Sequence, residues 1–180
     1  MISLSEIPLK QTPNIYKDRI NKPEYIIIHA ACGSYAGTVS WLTNPNSEVS
    51  AHFVISKKGE ITRLAKDNQS AWHCWGLNTK SVGIEHEDAT FIKNPKTGKF
   101  FKVKDCTNDG KWVTQELLDT SAQLVALLMK KHSISLDKVV GHDSLWIRKL
   151  NPKFAHQDPG VWWPWETYFG LIKKYLKEVK

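Results

Sequence analysis

Three residues of this chain, His29, His142 and Asp158, have side chains and settings suited to holding a catalytic metal ion. Zinc that hydrolyses a substrate takes three protein ligands with nitrogen or oxygen donors and keeps one position open. The short apolar run Val139-Val140 ends in Gly141-His142-Asp143, and farther on Phe154-Ala155-His156-Gln157-Asp158 leads into a Pro159-Gly160 turn. His142 and Asp158 are therefore two donors joined by a flexible stretch. A third must come from elsewhere, and His29 is a candidate because it closes the run Tyr25-Ile26-Ile27-Ile28. Taken singly, each is a weak signal. A histidine after a strand is more often structural than a ligand, and Asp-Pro-Gly is by default a turn, since proline fixes φ and glycine accepts positive φ.

The elements that must carry these residues follow from pattern. Tyr25 to His29 is a continuous β-branched run, the mark of a strand buried on both faces. His29 sits at its carboxyl end, where open sheets commonly place their sites. Ala51–Ser56 and Glu60–Leu64 read as two strands about a turn containing Gly59. His52, inside the first, is more often a hydrogen-bonded core group than a ligand. Ser81 to Glu87 alternates, with Val82, Ile84 and His86 on one face and Gly83, Glu85 and Glu87 on the other. Glu85 and His86 therefore cannot both face one pocket. A carboxylate on a strand is usually solvated, but one lying over a metal site can act as a general base.

Gln115 to His132 is the clearest helix, with Thr114 as N-cap, Glu116 and Asp119 near its positive end and Lys130-Lys131 near its negative end. Its leucines form an apolar stripe that belongs to the core. A last helix runs from about Pro164 to Glu178. A shorter one, Val39 to Thr43, is capped by Thr38 and stopped by Asn44-Pro45. Residues 66–80 read as a loop in which Trp72 and Trp75 flank His73. That is either a pocket wall with a polar tip or a loop anchored by aromatics. Residues 1–22 read as an arm laid over a domain spanning 23–180, and Asn94 to Lys111 as an inserted loop or exposed hairpin.

The chain has 180 residues, 41% of them hydrophobic, enough for one well-buried domain. A formal net charge of +7 suits nucleic acid, an anionic membrane or an anionic wall polymer, and equally suits simple solubility. No nucleic-acid-binding motif is present. Cys32, Cys74 and Cys106 lie far apart with no C-x-x-C, which argues against a disulfide framework or a thiolate zinc site. The start, Met1 to Pro8, has neither a basic n-region nor an apolar run, so neither a signal peptide nor membrane insertion is expected, and synthesis in the cytoplasm is.

Together these pieces resemble the zinc-dependent N-acetylmuramoyl-L-alanine amidases of the type-2 group, which includes phage amidases, cytosolic recycling amidases and animal peptidoglycan recognition proteins. The matching segments are Tyr25–His29, Ser50–Ile55 with Gly59 and Glu60, Ala71-Trp72-His73, Ser81–Glu85, Val140-Gly141-His142, and Asp158-Pro159-Gly160 with Trp163-Pro164-Trp165. They fall in the family's order and cover roughly residues 23 to 170.

The resemblance implies a single α/β domain, with a central mixed sheet flanked by helices and a zinc site at the sheet's carboxyl edge. It makes His29, His142 and Asp158 the Zn2+ ligands and Glu85 the acid/base carboxylate that activates water. The position two before the third ligand is lysine in many recycling-type relatives; here it is His156, a cation for the developing oxyanion. Trp72, His73 and Trp75 are candidates to line the groove. The implied partner is peptidoglycan or a soluble muropeptide, bound by a monomer, and the implied bond is the amide joining N-acetylmuramic acid to L-alanine. An endolysin, an exported effector or a cytoplasmic recycling enzyme would each fit. The rival from another class is a non-catalytic peptidoglycan-binding protein, which loss of a ligand would favour; all three positions are intact.

Overall fold

The run that ends in His29 lies second from one edge of a five-stranded sheet, in a computed structural model that describes residues 2–88, 91–93, 100–102, 111–150, 152–154 and 156–179. In chain order the first elements are β1 (Ile15–Ile20), β2 (Tyr25–Ala30), α1 (Tyr35–Leu42), β3 (Phe53–Ile55), β4 (Ile61–Arg63), β5 (Gln69–Ala71) and β6 (Ser81–His86). They are followed by β7 (Phe91–Lys93), β8 (Phe100–Lys102), α2 (Gln115–His132), β9 (Val139–Gly141), α3 (Leu145–Leu150) and α4 (Trp165–Leu176).

The sheet runs β4-β3-β6-β2-β9. β2 is parallel to both neighbours and β3 is parallel to β6, while β4 turns back antiparallel on β3. The mixed sheet flanked by helices is the architecture the sequence implied. Gly59, at φ +80, makes the β3–β4 turn, and a Cβ there would also lie 2.6 Å from Thr120 Oγ1.

Alternation along the strands sorts side chains to two faces. Ile26, Ile28, Val82 and Ile84 face α2 and α4, in one cluster with Leu117, Leu124, Leu128, Tyr168 and Ile172. Burying each such side chain contributes roughly 1.5–3 kcal/mol. Ile27 points the other way, against Cys74, Leu77 and Ile147, and Val54 packs there against Val39, Leu42, Ala51 and Leu64. His29, Gly83 and Glu85 share this second face, so the polar site and the main core lie on opposite sides of the sheet.

α2 begins and ends as its sequence predicts, with Thr114 Oγ1 accepting from the Leu117 amide at 3.2 Å. Three readings differ. The cap of α1 is Ser34, whose side chain accepts from the Gly37 amide, and Thr38 lies buried inside the helix. The 66–80 stretch contains β5, which pairs antiparallel with β1 inside the N-terminal segment. Side-chain amides stitch that segment down: Asn14 Nδ2 donates to the carbonyls of Asn44 and Val49, both at 2.9 Å, and Asn21 Nδ2 to Ser81 at 2.7 Å. α3 has no counterpart in the pattern reading. Of the stretch read as an inserted loop or hairpin, residues 94–99 and 103–110 lie outside the described residues, and its residues 100–102 form β8, which pairs antiparallel with β7.

Candidate metal centre

Parallel register lays three polar residues in one row across the sheet. His29 of β2 is the partner of Glu85 on β6, and Ile28 is the partner of Gly141 on β9. His142, one step past β9, continues the ladder by donating its amide to the Ile28 carbonyl at 3.2 Å. Asp158 arrives from the loop before α4, and its carbonyl accepts the Asp143 amide at 2.8 Å. That close approach needs Gly141: a Cβ there would sit 2.3 Å from Asp143 Oδ1 and 2.9 Å from Pro159 Cδ.

Donor atoms of His29, His142 and Asp158 all lie within 4.8 Å of one another. His29 Nδ1 is 3.0 Å from Asp158 Oδ2, and His142 Nδ1 is 3.5 Å from Asp158 Oδ1. The His142 Nδ1 atom is buried and has no hydrogen-bond partner among the described residues. A buried polar nitrogen without a partner costs about 1–3 kcal/mol unless something ligates it. Two imidazoles and one carboxylate turned inward, with one nitrogen orphaned, fit a divalent ion of borderline softness such as zinc.

The electrostatics agree with that fit. Burial, and then the neighbouring His142, lower the His29 pKa to about 4, so it is neutral at pH 7 and has a lone pair to offer. Burial, with the carboxylates of Asp158 and Asp88, pushes Glu85 well above the ordinary carboxylate value. Glu85 Oε1 lies 4.0 Å from His29 Nδ1, so the carboxyl overlooks the donor triangle from the adjacent strand.

His156 stands beside the triangle, its Nδ1 3.5 Å from Asp158 Oδ1. The hydrogen bond to Asp158 raises its pKa against the opposing effect of burial. These groups line a cleft of about 710 Å³ together with Trp72 and His73, and Trp41, Leu42 and Val49 also border it. Trp41 is 56% exposed on α1, and only the fold shows that this tryptophan borders the cleft. Trp75 lies apart, 62% exposed, beside a second hollow bordered by Tyr16, Arg19 and Asn78.

His52 and His86 have structural partners. His52 Nδ1 accepts from the Gly83 amide at 3.0 Å, and Nε2 donates to the Gln69 carbonyl at 2.8 Å. His86, on the face opposite Glu85, donates from Nδ1 to the His29 carbonyl at 2.8 Å. Its Nε2 accepts from Ser121 Oγ, which is 2.6 Å from the Tyr168 hydroxyl. A buried polar chain in the main core thus anchors the backbone of the residue whose ring faces the site.

The model of the N-acetylmuramoyl-L-alanine amidase family matches residues 19–161. The chain belongs to that family. N-acetylmuramoyl-L-alanine amidase A of Achromobacter lyticus is 28% identical over 171 residues, covering 87% of each protein. Among solved structures, a mutant endolysin from Bacillus subtilis superposes with a TM-score of 0.62 at 26% identity, covering 96% of this chain and 99% of that one. The amidase AmiD from E. coli, solved with anhydro-N-acetylmuramic acid-L-Ala-D-gamma-Glu-L-Lys as substrate, shares the fold. Its TM-score is 0.62 at 19% identity, over 87% of this chain and 60% of that one.

Proposed function

We propose that this protein is a zinc-dependent N-acetylmuramoyl-L-alanine amidase that cleaves the amide between the lactyl group of N-acetylmuramic acid and L-alanine. The observation that carries this reading is the convergence of His29, His142, Asp158 and Glu85 at the floor of one cleft. Family membership supplies the bond; the residues supply the chemistry.

Zinc held by His29, His142 and Asp158 would polarise the scissile carbonyl and lower the pKa of water toward ~7. Glu85 takes a proton from the attacking water as its oxygen bonds to the carbonyl carbon. It then delivers that proton to the amide nitrogen as the C–N bond breaks, and the second proton of the water passes to the released amine, leaving a lactyl carboxylate and an alanine ammonium. Burial raises the Glu85 pKa, so this carboxyl holds a proton more readily than a solvated one, as the delivery step requires. Cationic His156 steadies the negative charge that grows on the carbonyl oxygen, a role that contributes about 3 kcal/mol for a single donor. Trp72 supplies an apolar wall against which sugar or peptide can pack.

Wall polymer is the substrate this reading favours, with the enzyme acting as a monomer in wall degradation of the endolysin kind. The basic balance of the chain complements an anionic wall. Among the described residues no helix is long and apolar enough to cross a membrane.

The test offers purified sacculi and soluble anhydro-muropeptides side by side and reads the products by mass spectrometry. Stem peptides with free alanine amino termini should appear, fastest from sacculi. Turnover of the soluble fragments with untouched sacculi would replace wall degradation with a recycling role. No amine release from either would end the amidase reading in favour of a binding protein.

A further inference from the structure

We propose that His73, held by Ser81, sets which ring nitrogen of His29 faces the metal site, and so acts as a positioning residue for the first ligand. The inference rests on the metal-centre reading above and adds a role to residues that the reading leaves unused.

The hydrogen-bond chain has a fixed sense because it ends on a group that can only accept. Ser81 Oγ lies 2.7 Å from the Leu77 backbone carbonyl, so the hydroxyl donates its proton there. Only lone pairs then remain on Ser81, and His73 Nε2, 3.2 Å away, must present an N–H to them. His73 Nδ1 is left unprotonated, an acceptor 3.1 Å from His29 Nε2. His29 therefore carries its proton on Nε2, which turns the Nδ1 lone pair toward Asp158 Oδ2, 3.0 Å away. A lone pair facing a carboxylate at that distance is repulsive unless a cation sits beside both. Hydrogen bonds to the far nitrogen of a ligating histidine fix its tautomer in just this manner.

The surroundings hold the chain in place. Ser81 is fully buried and His29 is 2% exposed, so water has little access to break the sequence of donors. The His73 ring rests on Gly83, where a Cβ would lie 2.5 Å from Nδ1. His52 fixes the Gly83 backbone through its amide and meets the His73 ring edge-on, centroids 5.4 Å apart. Glycine at this position of β6 is what allows an imidazole to lie behind the ligand.

Nitrogen-15 imidazole spectra of the metal-free wild type, together with zinc affinity by chelator competition, test the proposal. His73 should carry its proton on Nε2. In His73→Phe, which keeps a ring but removes the acceptor, the His29 proton should move to Nδ1 and zinc affinity should fall about 10–100-fold, the usual effect of losing such a partner. His73→Asn, with an amide oxygen near the Nδ1 position, should recover most of that affinity. A His73 proton found on Nδ1, or equal zinc affinity in wild type and His73→Phe, would overturn the proposal. Failure of the wild type to bind zinc would instead overturn the metal reading, and the tautomer spectra would still decide the hydrogen-bond chain.

Discussion

His156 stacks on His142, with ring centroids 4.2 Å apart and planes 15° from parallel, and the Nδ1 atoms of both lie 3.5 Å from the same oxygen of Asp158. One of the two rings is buried with an orphaned nitrogen, and the other is half-exposed with a raised pKa. The pair thus sets a buried ring that could ligate a metal beside a half-exposed one that holds its proton more readily than a free histidine.

That division makes His156 testable by pH. Its pKa is raised, so the cation persists above the range of a free histidine and is lost as pH rises through the raised value. His156→Ala should keep its zinc yet lose about 100-fold in turnover, the lower end for removing one oxyanion donor. His156→Lys should stay partly active, with the alkaline limb of its rate profile moved upward. Overlapping profiles for wild type and both variants would mean that His156 only packs on His142.

Zinc content should report the three ligands directly. His29→Ala, His142→Ala and Asp158→Ala should each purify with far less than one zinc per chain by elemental analysis. A chelator should abolish wild-type activity, and added zinc should restore it. Full turnover by a metal-free preparation would contradict the reading.

Glu85→Gln keeps the shape of the side chain and removes the proton acceptor. It should bind zinc and melt like the wild type while turnover falls about 10²–10⁴-fold. If rates stay near wild type, the proton must travel through another group.

Asp67 is a stability site away from the cleft, 2.7 Å from Arg63 Nη2 and 2.8 Å from Lys131 Nζ, with His132 Nε2 also in contact. Burial opposes its ionised form, but Lys131 and His132 outweigh it and lower the pKa to about 2. A depressed carboxyl stabilises the fold fully above its unfolded value and loses that contribution as pH falls through the folded one. Asp67→Asn should therefore cost about 1–3 kcal/mol by denaturant melts at pH 7. The gap from wild type should close as pH drops from about 4 toward 2. An undiminished gap at pH 2 would mean packing, not charge, is responsible.

Much of this protein is legible in the chain itself. The apolar run before His29, the alternation through Glu85 and the capped stripe of Gln115–His132 are local patterns, and each formed the element its period demands. The face assignment of Glu85 against His86 followed from strand geometry alone. Resemblance supplied His29, His142 and Asp158 as a set, because motif order survives without coordinates.

Tertiary structure decided the rest. No periodicity announces that β1 pairs with β5, because that register depends on a strand far away in sequence and on the amides of Asn14 and Asn21. Trp72 and Trp75 look alike in sequence, yet one borders the cleft and the other faces a separate hollow, since neighbouring residues of a turn point apart. The role proposed for His73 was hidden for the same reason. A histidine between two tryptophans reads as a pocket wall, and only the missing Cβ of Gly83 and the single proton of Ser81 give its ring a direction.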